Sequence, residues 1–462
     1  MDSTQRIDPN RTMLGMGPQG NVTQQMAAAP SAQDLGRTTA MGPRKGLVAS
    51  LTPSREATMA NGPAREQFLL ELISPVESPP GVGFQTSSTR MPLNLCLVID
   101  RSGSMEGAPL EYVKQACNFV VDMLSPNDVL SIVTFEEIVE VLMAPQRVTS
   151  KQPIKDGIAR LVPGNTTNLY DGMTLAARQL ASGQESGRVT RMILLTDGDP
   201  TAGIKDFHTL VQLAGDLKSQ GSTITFLGFG PDYNEELIAS MAKKSGGNYY
   251  FIPRPELIPE IFRTELDKAF SVTARQLELK MKLARWVQLR AATGHSVAPG
   301  DREFTISLAD LDQGASIQQV FDFEFTNHPL GWYRVAAGLL TYEDLVTGLT
   351  ETIEIDFALE FTADAARYSA PPNPVVAAAA QVAAVSRVVE KTILGLKTQQ
   401  ITAAVAMQEL QKTQMLLLQE GRTAEAQEVT LALRALQSGD TAGAEKTLMG
   451  TVVSLDQGKK QT

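Results

Sequence analysis

Cysteine is nearly absent from this chain: only Cys96 and Cys117 occur in 462 residues. That number excludes a disulfide scaffold, and the apolar segments around both thiols predict buried structural side chains. Histidine is scarce too. His208, His295 and His328 are scattered, none stands at metal-ligand spacing, and they read as ordinary surface or core residues. Positive charge is in the minority, 41 Lys and Arg against 51 Asp and Glu, for a net charge of −10. Such a balance argues for solubility and against wholesale binding of nucleic acid or an anionic membrane. No uncharged run reaches the length of a membrane span, and the first thirty residues hold no apolar signal-peptide core. A cytoplasmic location is the expectation. Catalytic signatures are missing as well: there is no Gly-x-Ser-x-Gly, no phosphate-binding Gly-x4-Gly-Lys-Ser/Thr and no His-Glu-x-x-His.

What is present suits a globular protein of more than one unit, with 43% hydrophobic and 20% charged residues. Residues 1–64 are rich in Met, Gly, Pro, Thr and Gln and show no sustained period, which predicts a disordered tail. Within it Thr12, Thr39 and Thr58 each precede a Met and a closing Gly-Pro, a weak repeat. Residues 65–91 contribute a strand near Phe68. From 92 to 271 short apolar strands alternate with amphipathic helices. This pattern predicts a doubly wound, mostly parallel α/β sheet covered on both faces. Residues 272–365 alternate polar and apolar positions, as in Gln276–Leu283 and Thr352–Phe357, and read as an antiparallel β-sandwich. The strand near Phe68 lacks a partner close in sequence, so it is expected to join that sandwich, with the α/β unit inserted between. Residues 372–456 read as a helical domain, its helices stopped at Gly395, Gly421 and Gly439.

The strongest local signal is Asp100-Arg101-Ser102-Gly103-Ser104-Met105, where a core strand ends and a helix is about to begin. One carboxylate and two hydroxyls on a tight turn converge on one point, as a hard cation requires. Taken alone, the same residues suit a helix N-cap. Two later segments add oxygen donors: Thr166-Thr167 before a helix, and Thr196-Asp197-Gly198-Asp199 at the end of a core strand.

Taken together, these segments resemble the metal-ion-dependent adhesion site of von Willebrand factor A domains, over about residues 92–271. Asp100, Ser102, Ser104, Thr167 and Asp197 match the family's five positions, with Thr166 as a neighbouring alternative to Thr167. The resemblance implies a Rossmann-like α/β fold. It also implies that the serines and threonine contact the ion, that the aspartates act mostly through water, and that a partner's carboxylate fills the open position. The implied ion is Mg2+, with Mn2+ or Ca2+ also suited. The whole layout is similar to that of intracellular bacterial von Willebrand factor A proteins.

The expected function is therefore recognition of a protein partner that offers an Asp or Glu to the metal, without catalysis. The alternative is a scaffold that binds through its C-terminal helices and a phosphorylatable tail, with the metal site structural. For the tail, Thr12, Thr39 and Thr58 are expected docking or phosphorylation sites for a phosphothreonine-reading partner.

Overall fold

The structure is a computed structural model that describes residues 47–74, 90–185, 187–230, 233–298 and 300–461. Its first strands are β1 (Val48–Pro53), β2 (Ala57–Met59) and β3 (Ala64–Ile73). The sequence pattern predicts a disordered tail through residue 64, whereas the chain from Val48 onward is paired backbone. β1 runs antiparallel to β3 with Val48 opposite Ile73. Ala49, Leu51 and Ala60 enter the same apolar core as Phe68, over a period too short to stand out among Thr, Pro and Gly. Thr58 is corrected with it. The residue is buried in β2 and stands opposite Phe361, so it is not an exposed docking or phosphorylation site in the folded chain. Thr12 and Thr39 lie outside the described residues.

The α/β unit follows as β4 (Leu93–Asp100), α1 (Ala108–Met123), β5 (Val129–Phe135), β6 (Glu140–Arg147), α2 (Gln152–Ala159) and α3 (Leu169–Ser182). It continues as β7 (Val189–Thr196), α4 (Phe207–Ser219), β8 (Thr223–Phe229), α5 (Glu235–Ser245), β9 (Tyr249–Ile252) and α6 (Ile258–Ser271). Its sheet has the order β6-β5-β4-β7-β8-β9, parallel except for β6. Every residue of β4 is buried, because the alternation of the strand serves two apolar layers. Leu95, Leu97 and Ile99 pack with α1 and α6, while Cys96 and Val98 pack with α3, α4 and α5. Both cysteines are free and buried, and burial pushes their thiols up to about 12. From β4 the chain moves to β5 on one side, and from β7 to β8 on the other. The direction of winding thus reverses between β4 and β7, where a doubly wound sheet leaves a crevice beyond its strand ends.

Seven strands come next: β10 (Val272–Leu283), β11 (Val287–Ala292), β12 (Glu303–Ser307), β13 (Leu311–Asp312), β14 (Ala315–Phe325), β15 (Gly331–Asp344) and β16 (Leu349–Thr362). One sheet has the order β1-β3-β14-β11 and another the order β12-β10-β15-β16-β2. β3 and β14 pair from Ala64–Phe325 to Ile73–Ser316, although the whole α/β unit lies between them in the chain. The two sheets bury a common layer. Phe68 meets Phe323 and Phe357 edge-on at 5.7 and 5.6 Å between ring centres. The chain leaves and re-enters these sheets at one place, where the hydroxyls of Ser74 and Thr273 lie 2.8 Å apart.

The remaining elements are α7 (Ala365–Tyr368), α8 (Pro374–Lys397), α9 (Ala403–Gln419), α10 (Thr423–Gln437), α11 (Thr441–Asp456) and β17 (Lys459–Gln461). Asn373, Thr402 and Asp440 cap α8, α9 and α11 by accepting backbone N–H bonds. Gly421 and Gly439 end helices in the left-handed region, as their positions predict. Gly395 does not. It lies inside α8, where a Cβ would meet Ile401 at 3.0 Å, so close packing rather than termination accounts for it. α11 then lies against the α/β unit. Buried Lys446 donates to the Tyr233 carbonyl at 3.1 Å with its ammonium 3.8 Å from the centre of the Tyr233 ring.

Candidate metal centre

β4 ends at Asp100 and β7 at Thr196, the two strands that flank the crevice. Asp100 is fully buried, and both its oxygens are engaged. Oδ1 accepts the Ser102 N–H at 2.8 Å and Oδ2 accepts the Thr196 hydroxyl at 2.6 Å. Burial pushes this carboxyl up to about 7, against the two donors that favour its charged form, and Asp197 adds to the rise. Ser104 Oγ donates to Asp197 Oδ1 at 2.8 Å, and Ser102 Oγ lies 3.4 Å from the same oxygen and 3.1 Å from Ser104 Oγ.

The threonine comes from the loop before α3. That loop is stitched to the next, since Thr201 and Ala202 N–H both bond the Thr167 carbonyl and the Thr201 hydroxyl accepts the Thr167 N–H. A Cβ on Gly198 would stand 3.6 Å from Thr167 Oγ1 and 3.9 Å from Ser104 Oγ, so both hydroxyls border the same spot. Thr166 Oγ1 is buried and has no hydrogen-bond partner among the described residues. All five residues expected as ligands therefore converge, and of the adjacent threonines it is Thr167 that faces them. Asp199 is exposed on the rim.

Thr196 belongs to the centre as well, since it fixes one oxygen of Asp100. A buried threonine inside a strand looks like any β-branched core residue, and the pattern Thr-Asp-Gly was its only signal. Arg101, between the first two ligands in sequence, turns aside to Glu140 at 3.1 Å and Glu136 at 3.5 Å. Asp100 has no basic partner among the described residues. Three hydroxyls and two carboxylates, with no nitrogen or sulfur donor, make a set that suits a hard divalent cation. Such an ion would relieve the charge that burial otherwise penalises at Asp100.

Residues 94–264 match the family described as the von Willebrand factor type A domain. Over 227 residues the chain is 34% identical to the uncharacterized protein sll0103 of Synechocystis sp., covering 49% of this chain and 52% of that protein. It is 27% identical over 199 residues to the uncharacterized protein YfbK of Escherichia coli, covering 42% and 34% of the two. Human inter-alpha-trypsin inhibitor heavy chain H4 is 32% identical over 170 residues, covering 34% of this chain and 18% of that one. The chain thus spans about half the length of the first of these relatives, and less of the others. Among solved structures, a von Willebrand factor type A protein from Catenulispora acidiphila superposes with a TM-score of 0.66 at 15% identity, covering 85% of this chain and 91% of that one. The ArnB paralog VWA2 from Sulfolobus acidocaldarius gives 0.61 at 16% identity, covering 88% and 98%. At these identities the likeness is one of fold, and it extends well beyond the α/β unit. The family often mediates protein–protein interactions, and its members commonly bind a divalent metal at this position. The matched residues, the sheet order and the five converging oxygen donors identify residues 94–264 as a von Willebrand factor type A domain.

Proposed function

We propose that this chain is a divalent-metal-dependent protein-binding module, an adaptor or assembly factor rather than an enzyme. The observation that carries the reading is the meeting of Ser102, Ser104 and Thr167 hydroxyls with Asp197 and buried Asp100 at the reversal point of the sheet. The three hydroxyls would hold the ion directly, and the carboxylates would supply its counter-charge. Mg2+ is the ion proposed, with Mn2+ or Ca2+ as substitutes. When bound, it offers an open position to a carboxylate of the partner. Ser104 is exposed, so its side of the cluster is accessible to a partner. We read the two antiparallel sheets as one sandwich into which the α/β unit is inserted, with α11 packed against that unit. A cytoplasmic setting belongs to the same proposal. Among the described residues, no helix is long and apolar enough to cross a membrane.

Calorimetric titration of the full chain with MgCl2 tests the reading directly. One saturable site is expected, lost in Asp100→Ala while the circular dichroism spectrum is kept. Full Mg2+ affinity in that variant would refute it.

A second reading is favoured by one observation. Leu394 on α8, Met415 and Leu418 on α9 and Leu431 on α10 are large apolar side chains left exposed on the helical unit. A scaffold that binds through these helices would lose its partner when they are made polar, with metal affinity unchanged.

A further inference from the structure

The metal centre opens onto four loops that are fixed to one another. Gly103 N–H bonds the Asn165 carbonyl at 3.4 Å, Asn168 N–H the Glu136 carbonyl at 3.1 Å, and Thr201 N–H the Thr167 carbonyl at 3.0 Å. Three of these loops each hold up one aliphatic side chain to solvent. Ile138 between β5 and β6 is 60% exposed, Val162 before α3 is 58% exposed, and Ile204 before α4 is 43% exposed. Nothing in the folded chain gains from that exposure, and the three stand on loops that carry the ligands or bond to those that do.

The exposed charges on the same loops lean acidic. Glu106, Glu137 and Asp199 are exposed and make no ion pair among the described residues. Arg101 is occupied by Glu136 and Glu140, which leaves Arg160, at the start of the loop that carries Val162, and Lys205, on the loop that carries Asp199, as exposed bases. A carboxylate is welcome at the ion alone. A second one beside it would face the acidic rim, whereas a base there would be attracted.

We propose that the occupant of this face is a protein segment with a single carboxylate set among aliphatic and basic side chains, an inference that rests on the metal-dependent reading above. The metal takes the carboxylate, Ile138, Val162 and Ile204 take the aliphatic neighbours, and Glu106, Glu137 and Asp199 select a basic flank. Highly acidic segments are rejected although an acid is the anchor.

A phage-displayed library of random twelve-residue peptides, selected on the full chain in MgCl2 and eluted with EDTA, tests this. Eluted clones should carry one Asp or Glu, with Leu, Ile, Val or Phe and Lys or Arg enriched beside it. The I138S/V162S/I204S variant should bind a recovered peptide at least about fivefold more weakly, while Mn2+ bound per chain, read by electron paramagnetic resonance, stays the same. Clones rich in several acids, or an unchanged affinity in that variant, would overturn the inference and leave the metal reading standing. A pool without any Asp or Glu would overturn both.

Discussion

Thr166 and Thr167 are neighbours with different fates. The Thr167 hydroxyl shares a spot above Gly198 with Ser104, whereas that of Thr166 is buried without a partner. Thr167→Ala should therefore weaken Mg2+ binding by about tenfold or more, and Thr166→Ala by less than about twofold, in calorimetric titrations. Equal losses would show that the loop, not one hydroxyl, makes the contact. At this scale the sequence was most informative. Asp100, Ser102, Ser104, Thr167 and Asp197 were legible because each short segment pairs an oxygen-bearing side chain with a turn. Thr196 was not, since its role depends on a neighbouring strand and not on its own segment. Thr58 misled for a related reason. Its Thr-Met-Gly-Pro surroundings look like those of Thr12 and Thr39, yet β2 carries it into the sheet beside Phe361.

Among the elements, the α/β unit was readable strand by strand because its core strands are short apolar runs bounded by amphipathic helices. β3 shows what could not be read. Its pairing with β14 is fixed by the shape of two sheets, and no local pattern names a partner so far along the chain. The register nevertheless matters greatly to stability. Phe68 sits between Phe323 on its own sheet and Phe357 on the facing one, fully buried. Phe68→Ala should cost about 3–5 kcal/mol in urea unfolding, followed by far-ultraviolet circular dichroism. A cost below about 1 kcal/mol would mean that the two sheets do not depend on this shared layer. Gly395 makes the opposite point. Its composition signal reads as a helix stop, and only the position of Ile401 shows why glycine is used inside α8.

For the whole molecule, the decisive contact is ionic and was invisible in the sequence. Asp310, between β12 and β13, is buried against the α/β unit. It accepts from Arg191 of β7 at 2.6 Å, Lys218 of α4 at 3.0 Å and Thr223 of β8 at 2.9 Å. Burial alone would raise its pKa, but the Lys218 and Arg191 charges win and hold the carboxyl far below the usual range. Its stabilising contribution is thus fully present above about pH 4, the ordinary value of an unfolded Asp, and is lost as the pH falls below that. Asp310→Asn should lower stability by about 3–5 kcal/mol near neutrality, because two cations are left buried without their counter-ion. The gap in melting temperature between the two proteins should narrow below about pH 4. A gap that stays constant down to acid would show that the charge on Asp310 is not what joins the units. Nothing in the spacing of Arg191, Lys218 and Asp310 announces this triad, since they stand on three elements brought together only by the fold.

The neck at Ser74 and Thr273 gives the molecule a mechanical character. The hydroxyls of the departing and returning strands lie 2.8 Å apart, and the α/β unit is held as well by Asp310 and by Lys446 of α11. Tension from a ligand held at the metal face is therefore shared between the neck and these side contacts. The Asp310 contact lies beside the neck, since the Thr273 hydroxyl donates to the carbonyl of adjacent Leu311 at 3.1 Å. Steady pulling therefore loads the neck and the buried charges together.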